Sequence, residues 1–447
     1  MTTTLVTPPT APGARPFVGH ALQLAFRPLE FITGLPAFGD VVCIRLGRRQ
    51  AYVVCSPDAV HHLLTDDRTF DKGGPVYDRG RELGGDGLLT CQRTLHRRQR
   101  RLVQPAFHKE QLARYASIMV EQATAEIGTW RDGDVIDVNA RMLHITNRIA
   151  ARAFFSSDLV RIRAEELCDL MVVYFAGLYW RYLDPTGLVT RLPLPANRRY
   201  QHAVHEIHAA TAEIIKSYRA GGTDHGDMLS MLLSARDEEG GTLSDAEIHD
   251  QVLQFFLAGT SPAAATLSWA LHLLSTRPEL TRRLETEVET ALESGPLGWD
   301  ALPRLALTRA VILEALRIHP PAWLFSRIAT CDTELAGCSV PAGSSVFYSA
   351  YLSHHHPALP GEDSECAPER WLHGGETQPA RGTYVPFGGG ARKCIGDEFA
   401  LVEDTLVLAL ITARCRLEPM PGKPVQPVPR ATMRPSAFTT RIHQRRN

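Results

Sequence analysis

The sequence predicts a mainly α-helical protein with a small β region, organised as one unit over residues 1–447. Three observations carry that prediction. Residues 110–220 are mainly helical by pattern. Ser244-Asp-Ala-Glu247 matches a capping box and opens a helix that runs to about Thr276, where Arg277-Pro278 stops it. The clearest β signal is a hairpin, Val41–Leu46 and Ala51–Cys55 around Gly47-Arg-Arg-Gln50. No internal repeat, low-complexity tract or linker divides the chain.

Residues 1–20 are rich in proline and glycine and should run over the surface. They lack the basic region and apolar run of a signal peptide or membrane anchor. Ser56-Pro57-Asp58 starts a helix, with proline in its first turn. Asp66, Asp67 and Asp71 form an acidic cluster expected to be solvated on a surface helix and turn. Lys72–Gln92 holds six glycines with little periodicity, which predicts a long, lid-like loop. On the helix after that loop, His96 and Arg100 are four apart and share one face. Leu170–Trp180 is apolar all round and too short to span a bilayer, so it reads as buried core; Pro185, Pro193 and Pro195 break the segment after it.

The helix opened at Ser244 covers some 32 residues, roughly 48 Å at ~1.5 Å per residue, so it must traverse the molecule. Asp250, Gln254, Gly259, Pro262, Ser268 and His272 exclude it from a membrane. Val311–His319 is a helix ended by Pro320 and Pro321, with Glu314 and Arg317 on the same side. Pro368-Glu-Arg370-Trp371 lies in an irregular stretch. His354, His355 and His356 are adjacent, do not share a face, and read as a surface turn rather than a metal site.

A composition of 44% hydrophobic and 22% charged residues is that of an ordinary globular protein, and a net charge of -1 gives no argument for a nucleic-acid partner. Of 48 basic residues only five are lysine, a bias of GC-rich bacterial genomes. Nine cysteines without a C-x-x-C pair fit reduced thiols in a cytoplasm better than a disulfide framework.

The stretch that organises the rest is Phe387-Gly-Gly-Gly-Ala-Arg-Lys-Cys394-Ile-Gly396, a glycine-rich loop that presents one cysteine and leads into an apolar helix. Gly388, Gly389 and Gly390 let backbone approach a flat object closely. Amides and the dipole at the start of the helix should favour an ionised sulfur. Read alone, a cysteine such as Cys394 is more often a small buried hydrophobe than a ligand. Neither the Rossmann nor the Walker phosphate spacing is present.

The complete pattern, Phe387-x-x-Gly390-x-Arg392-x-Cys394-x-Gly396, resembles the haem-binding signature of the cytochrome P450 family. The resemblance implies the family's triangular, mainly helical haem-thiolate fold with a long central helix. It implies haem b with Cys394 as axial iron ligand, in the loop from Phe387 to Gly396. His96, Arg100, Arg327 and Arg392 would grip the propionates. Glu314, Arg317 and Arg370 match the family's buried ionic triad, which is architectural. No flavin or iron–sulfur signature is present, so no reductase is fused. Electrons from NAD(P)H would then arrive through a separate ferredoxin and ferredoxin reductase, which Arg97, Arg98 and Arg101 could greet. A soluble, cytoplasmic, monomeric bacterial monooxygenase using O2 is expected.

The chain departs from the family at Ala258-Gly259-Thr260-Ser261-Pro262, where the pattern is Ala/Gly-Gly-x-Asp/Glu-Thr. Serine replaces the acid and proline the alcohol that deliver protons during oxygen activation. Proline also removes a backbone donor, so the helix should kink there. Gly259, Thr260, Ser261 and Pro262 are the catalytic candidates; water, a substrate hydroxyl, Thr260 or Ser261 could carry protons instead. The candidate substrate pocket comprises Val76, Leu83, Leu88, Leu89, Phe255, Phe256, Ala258, Ala322 through Trp323 and Leu324 to Phe325, and Phe438. With little charge among them, a compact lipophilic substrate is expected. Residues 192–280 look most like actinobacterial terpene oxygenases of secondary metabolism and antibiotic biosynthesis, sesquiterpene hydroxylases among them. A peroxide-dependent or non-oxygenating haem-thiolate enzyme, and a haem sensor without turnover, are the alternatives.

Overall fold

The hairpin forms as its sequence dictates: Val41–Leu46 pairs antiparallel with Arg49–Val54 across Gly47, whose φ of +63° suits the tight turn. It is two strands of a five-stranded sheet. Arg49–Val54 pairs in parallel with Ser345–Tyr348, which pairs antiparallel with Phe325–Ala329, and Phe70–Asp71 closes the far edge. A three-stranded sheet joins Val135–Asp137, Thr439–Gln444 and Cys415–Pro419. The computed structural model describes residues 6–155, 158–183, 188–222, 224–357, 366–372 and 379–445.

Helices make up the main core. The helix after the cysteine loop, Asp397–Arg414, is buried from Leu401 to Thr412 without a gap, as expected of a helix apolar on all sides. Around it pack Lys109–Ile127, Ala306–Ile318, Pro278–Glu293 and Ser261–Ser275. The sheet side holds two smaller apolar clusters, one around Val54, Leu63 and Tyr348 and one around Ile44, Val53 and Trp323.

Several expectations need correction. The long helix opens on the Ser244–Glu247 capping box but is two helices, Asp245–Gly259 and Ser261–Ser275. Thr260 departs from helical geometry at φ -110°, ψ -65°. Pro262 has no N–H for the Ala258 carbonyl, so the kink is a break. Within Lys72–Gln92, Gly74–Gly84 is a helix with Pro75 in its first turn, ended by Gly85 at φ +53°. Its glycines lie mostly at its ends, where they do not oppose it. Leu170–Trp180 belongs to a helix spanning Asp158–Leu183 that buries Leu167, Met171, Tyr174 and Leu178 but exposes Val172, Val173 and Trp180; it is one-sided. Pro185 lies outside the described residues, and Pro195 starts the helix to Gly221.

Asp67 and Asp71 are buried rather than solvated. His354 is not in a surface turn: it is fully buried, its Nδ1 facing the Leu316 and Arg317 carbonyls at 3.2 and 3.1 Å while Nε2 accepts the Val385 N–H at 2.8 Å. That pattern selects the neutral ring, and burial pushes its pKa down to about 3. Among the described residues no helix is long and apolar enough to cross a membrane.

Candidate functional site

Two glycines shape the cysteine loop. Gly390 has φ +61°, and a Cβ there would lie 2.1 Å from the Leu64 carbonyl oxygen; Gly388 has φ +69°. The Cys394 N–H donates to the Phe387 carbonyl at 2.9 Å, closing the loop on itself. Cys394 is accessible at its surface, while the protein packed around the residue desolvates its thiol. Burial pushes its thiol up, against the Gly396 amide, Arg100 and Lys72. The Gly396 amide at the helix start acts in the direction that favours an ionised sulfur but does not outweigh burial. Desolvation outweighs the dipole, and a thiolate needs a cation such as iron bound to it.

Four of the predicted cations converge beside this loop. His96 is buried on Arg93–Val103, and burial together with Arg392, Lys72, Arg100 and Arg327 pushes its pKa down to about 3. Arg100 donates to the Lys393 carbonyl at 2.7 Å, joining that helix to the cysteine loop. Arg327 is buried on Phe325–Ala329 and donates to Tyr77 Oη at 3.2 Å. Arg392 donates to Asp71 Oδ1 at 2.5 Å and to the Cys91 carbonyl at 2.9 Å.

His96 Nδ1 and Arg392 Nε are buried without a hydrogen-bond partner. Such atoms are costly unless something meets them. A flat dianionic cofactor seated on Cys394 would satisfy them, so these residues fit haem.

Sequence reasoning missed Lys72, which is buried, donates to the Leu89 carbonyl at 2.8 Å and has its pKa pressed well down by burial and by Arg327 and Arg392. Its one signal was a lysine in a chain that otherwise writes its cations as arginine. Asp71 was misassigned: it accepts from the Arg93 N–H at 2.8 Å and offsets part of the cluster's positive charge.

The ionic triad is assembled. Glu314 is fully buried and accepts from Arg317 at 2.8 and 3.1 Å, with Arg370 at 3.3 Å. The Trp371 indole and the Ala367 amide add donors at 2.8 and 3.0 Å, neither foreseen from the motif.

Around the break at Thr260, Ala258 is accessible and Gly259, Ser261 and Pro262 are partly accessible. Thr260 is buried, its hydroxyl donating back to the Phe256 carbonyl at 3.3 Å. Ser261 Oγ lies 3.2 Å from Thr432 Oγ1. Leu88 and Leu89 are sewn to the Asp245–Gly259 helix, their amides donating to Gln251 and Gln254. Gln254 also donates to the Gly84 carbonyl and Thr90 Oγ1, both at 2.6 Å. Leu89 and Ala258 are accessible and Val76 partly so; Leu83 and Phe256 are buried.

Three proposed pocket walls serve packing. Phe255 is buried edge-on to Phe107 and faces a narrow void with Phe154, Met228 and Leu232. Phe438 packs on His272, near the far end of Ser261–Ser275. Trp323 is in the sheet-side core, its indole donating to the Arg430 carbonyl at 2.8 Å; Leu324 packs beside it. Of the arginines expected to greet a partner, Arg98 is held by Asp237, Glu247 and the Thr242 carbonyl and Arg101 faces Glu238, whereas Arg97 is exposed.

The family model described as Cytochrome P450 matches residues 8–441. Cyclooctatin synthase of Streptomyces melanosporofaciens is 44% identical over 95% of this chain and 93% of its own. Pentalenene oxygenase of Streptomyces avermitilis is 43% identical over 95% and 94%. Cyclooctat-9-en-7-ol 5-monooxygenase of Streptomyces melanosporofaciens is 41% identical over 92% and 90%. The crystal structure of the cytochrome P450DA heme domain superposes with a TM-score of 0.88 at 26% identity, covering 99% of this chain and 98% of that one.

Proposed function

From the premise that this chain belongs to the cytochrome P450 family and is a monooxygenase of that family, we propose that it oxygenates a cyclic terpene skeleton, with electrons delivered by a separate ferredoxin and its reductase. One observation carries the reading: Cys394 is accessible on a loop that Arg100 ties to the helix of His96, and His96 and Arg392 each hold a buried nitrogen without a hydrogen-bond partner. Haem ligated by that sulfur supplies oxygen activation when bound.

The chain's own residues do the rest. Arg100, Arg327, Arg392, Lys72 and His96 supply charge and donors for the two propionates. Glu314, Arg317 and Arg370 join the helix Ala306–Ile318 to the segment 367–371. Val76, Leu89 and Ala258 offer accessible apolar surface, which suits a hydrocarbon or a monohydroxylated terpene and disfavours an acid or amine. The relatives whose names specify a terpene support that class, and the 447-residue chain carries no flavin or iron–sulfur signature of its own.

The test is a carbon monoxide difference spectrum of the reduced protein, then spin-state titration with cyclic diterpene and sesquiterpene hydrocarbons and alcohols. A thiolate-type band and a shift with at least one terpene are expected. Absence of the band from wild type, or its survival in Cys394→Ala, would sink the haem-thiolate reading. A full band with no response to any terpene would sink the substrate class alone.

A further inference from the structure

Protons are the gap in that reading, because neither the acid nor the alcohol of the family pattern stands in the broken helix. Thr260 does not fill the gap: its hydroxyl is buried and spent on the Phe256 carbonyl. Pro262 has no hydroxyl and no N–H. Ser261 remains, and its nearest hydroxyl comes from a segment remote in sequence.

Thr432 sits in the turn between two short paired strands, Pro427–Pro429 and Met433–Pro435. That turn is pinned on both sides of Thr432. The Met433 N–H donates to the Pro321 carbonyl at 2.8 Å. The Arg430 carbonyl accepts from the Trp323 indole at 2.8 Å, while the Arg430 guanidinium lies over the Trp180 ring at 5.3 Å. With residues 430 and 433 both fixed, the Thr432 side chain has little freedom to leave Ser261.

We infer that Thr432 is a relay partner of Ser261, holding the Ser261 hydroxyl at the helix break and sharing its proton so that the two hydroxyls do the work of the missing acid–alcohol pair. The inference rests on the monooxygenase reading above. Two hydroxyls 3.2 Å apart can pass a proton without either gaining net charge. One oxygen accepts a proton from water on its lone pair and releases its own to the second. The second releases its proton onward toward the oxygen being reduced. Each hydroxyl ends with one hydrogen, and all electrons come from the external reductant. The row fails if either hydroxyl is removed, and a carboxylate is not needed.

The experiment compares Thr432→Val, Thr432→Ser, Ser261→Ala and the Ser261→Ala/Thr432→Val double variant with wild type, each first shown to retain the carbon monoxide thiolate band. Product per reducing equivalent is measured with a terpene that shifts the spin state. Thr432→Val and Ser261→Ala should each lower it several-fold and raise peroxide release. The double variant should be no worse than either single one, and Thr432→Ser should recover most of the loss. Independently of turnover, the thermal midpoints of the substrate-free proteins should be non-additive, since the two hydroxyls interact directly. Wild-type coupling in Thr432→Val, or additive midpoints, would overturn the inference and leave the family assignment intact. A wild type without the thiolate band would instead defeat the reading beneath it.

Discussion

Glu314→Ala should yield protein that cannot hold haem. The carboxylate is fully buried and gathers donors from Arg317 Nε and Nη2, Trp371 Nε1, the Ala367 amide and Arg370 Nε. Its removal takes from the buried Arg317 the carboxylate it is paired with, a cost of about 3–5 kcal/mol. The orphaned indole and amide donors add roughly 1–3 kcal/mol each wherever water cannot reach them. A loss of about 5 kcal/mol or more is a third to all of a stability of ~5–15 kcal/mol.

Arg370→Ala should be milder, because Arg370 is partly accessible and meets Glu314 at 3.3 Å. The assay is haem bound per polypeptide with the reduced carbon monoxide spectrum, alongside thermal unfolding. Glu314→Ala with full haem content and a wild-type midpoint would refute the reasoning, as would Arg370→Ala proving worse than Glu314→Ala.

The same geometry sets two further outcomes. Gly390→Ala puts a Cβ 2.1 Å from the Leu64 carbonyl oxygen at a φ of +61°; the atom it meets is backbone and cannot swing away, so haem content should collapse and a cold-expression rescue should fail. Glu403 and Asp404 are buried side by side with unpartnered oxygens, and burial raises both carboxyls well above their ordinary range, Asp404 adding to the rise at Glu403. Stability from the protonated pair is fully present below the ordinary carboxylate range and is lost as the pH rises toward the elevated folded-state values. Glu403→Gln should flatten that loss, so the gap in unfolding midpoint between variant and wild type should widen in the variant's favour from pH 5 to pH 8; a constant gap would contradict it.

The parts legible in the sequence were those written locally. Glu314 and Arg317 are one turn apart, and the Ser244–Glu247 box and the Gly47 turn act within four residues. What could not be read depends on contacts made at a distance. Ser261 and Thr432 are 171 positions apart, and Arg392 and Asp71 are 321 apart. Asp71 looked like a surface charge, and Lys72 went unnoticed, because nothing near them in sequence shows the Arg392 and Arg327 side chains that come to lie beside them. The run at 354–356 misled for a similar reason: a rule about which faces neighbours share says nothing about one of them being drawn inward to the Leu316 and Arg317 carbonyls. Glycines at 73, 74, 84 and 85 concealed a helix because they bound it instead of interrupting it.

The parallel pairing of residues 51–54 with 345–348 has a consequence for how the protein is made. A nascent chain carries its first hairpin almost from the outset, yet that hairpin stays an unfinished edge until some three hundred more residues have left the ribosome. The sulfur-bearing loop emerges later still, and the turn that carries Thr432 close to last. Pairings so remote close slowly and leave apolar strand edges uncovered meanwhile. Capture of the porphyrin thus waits until the chain has grown past Cys394, and a chain cut short before that loop has no sulfur to offer.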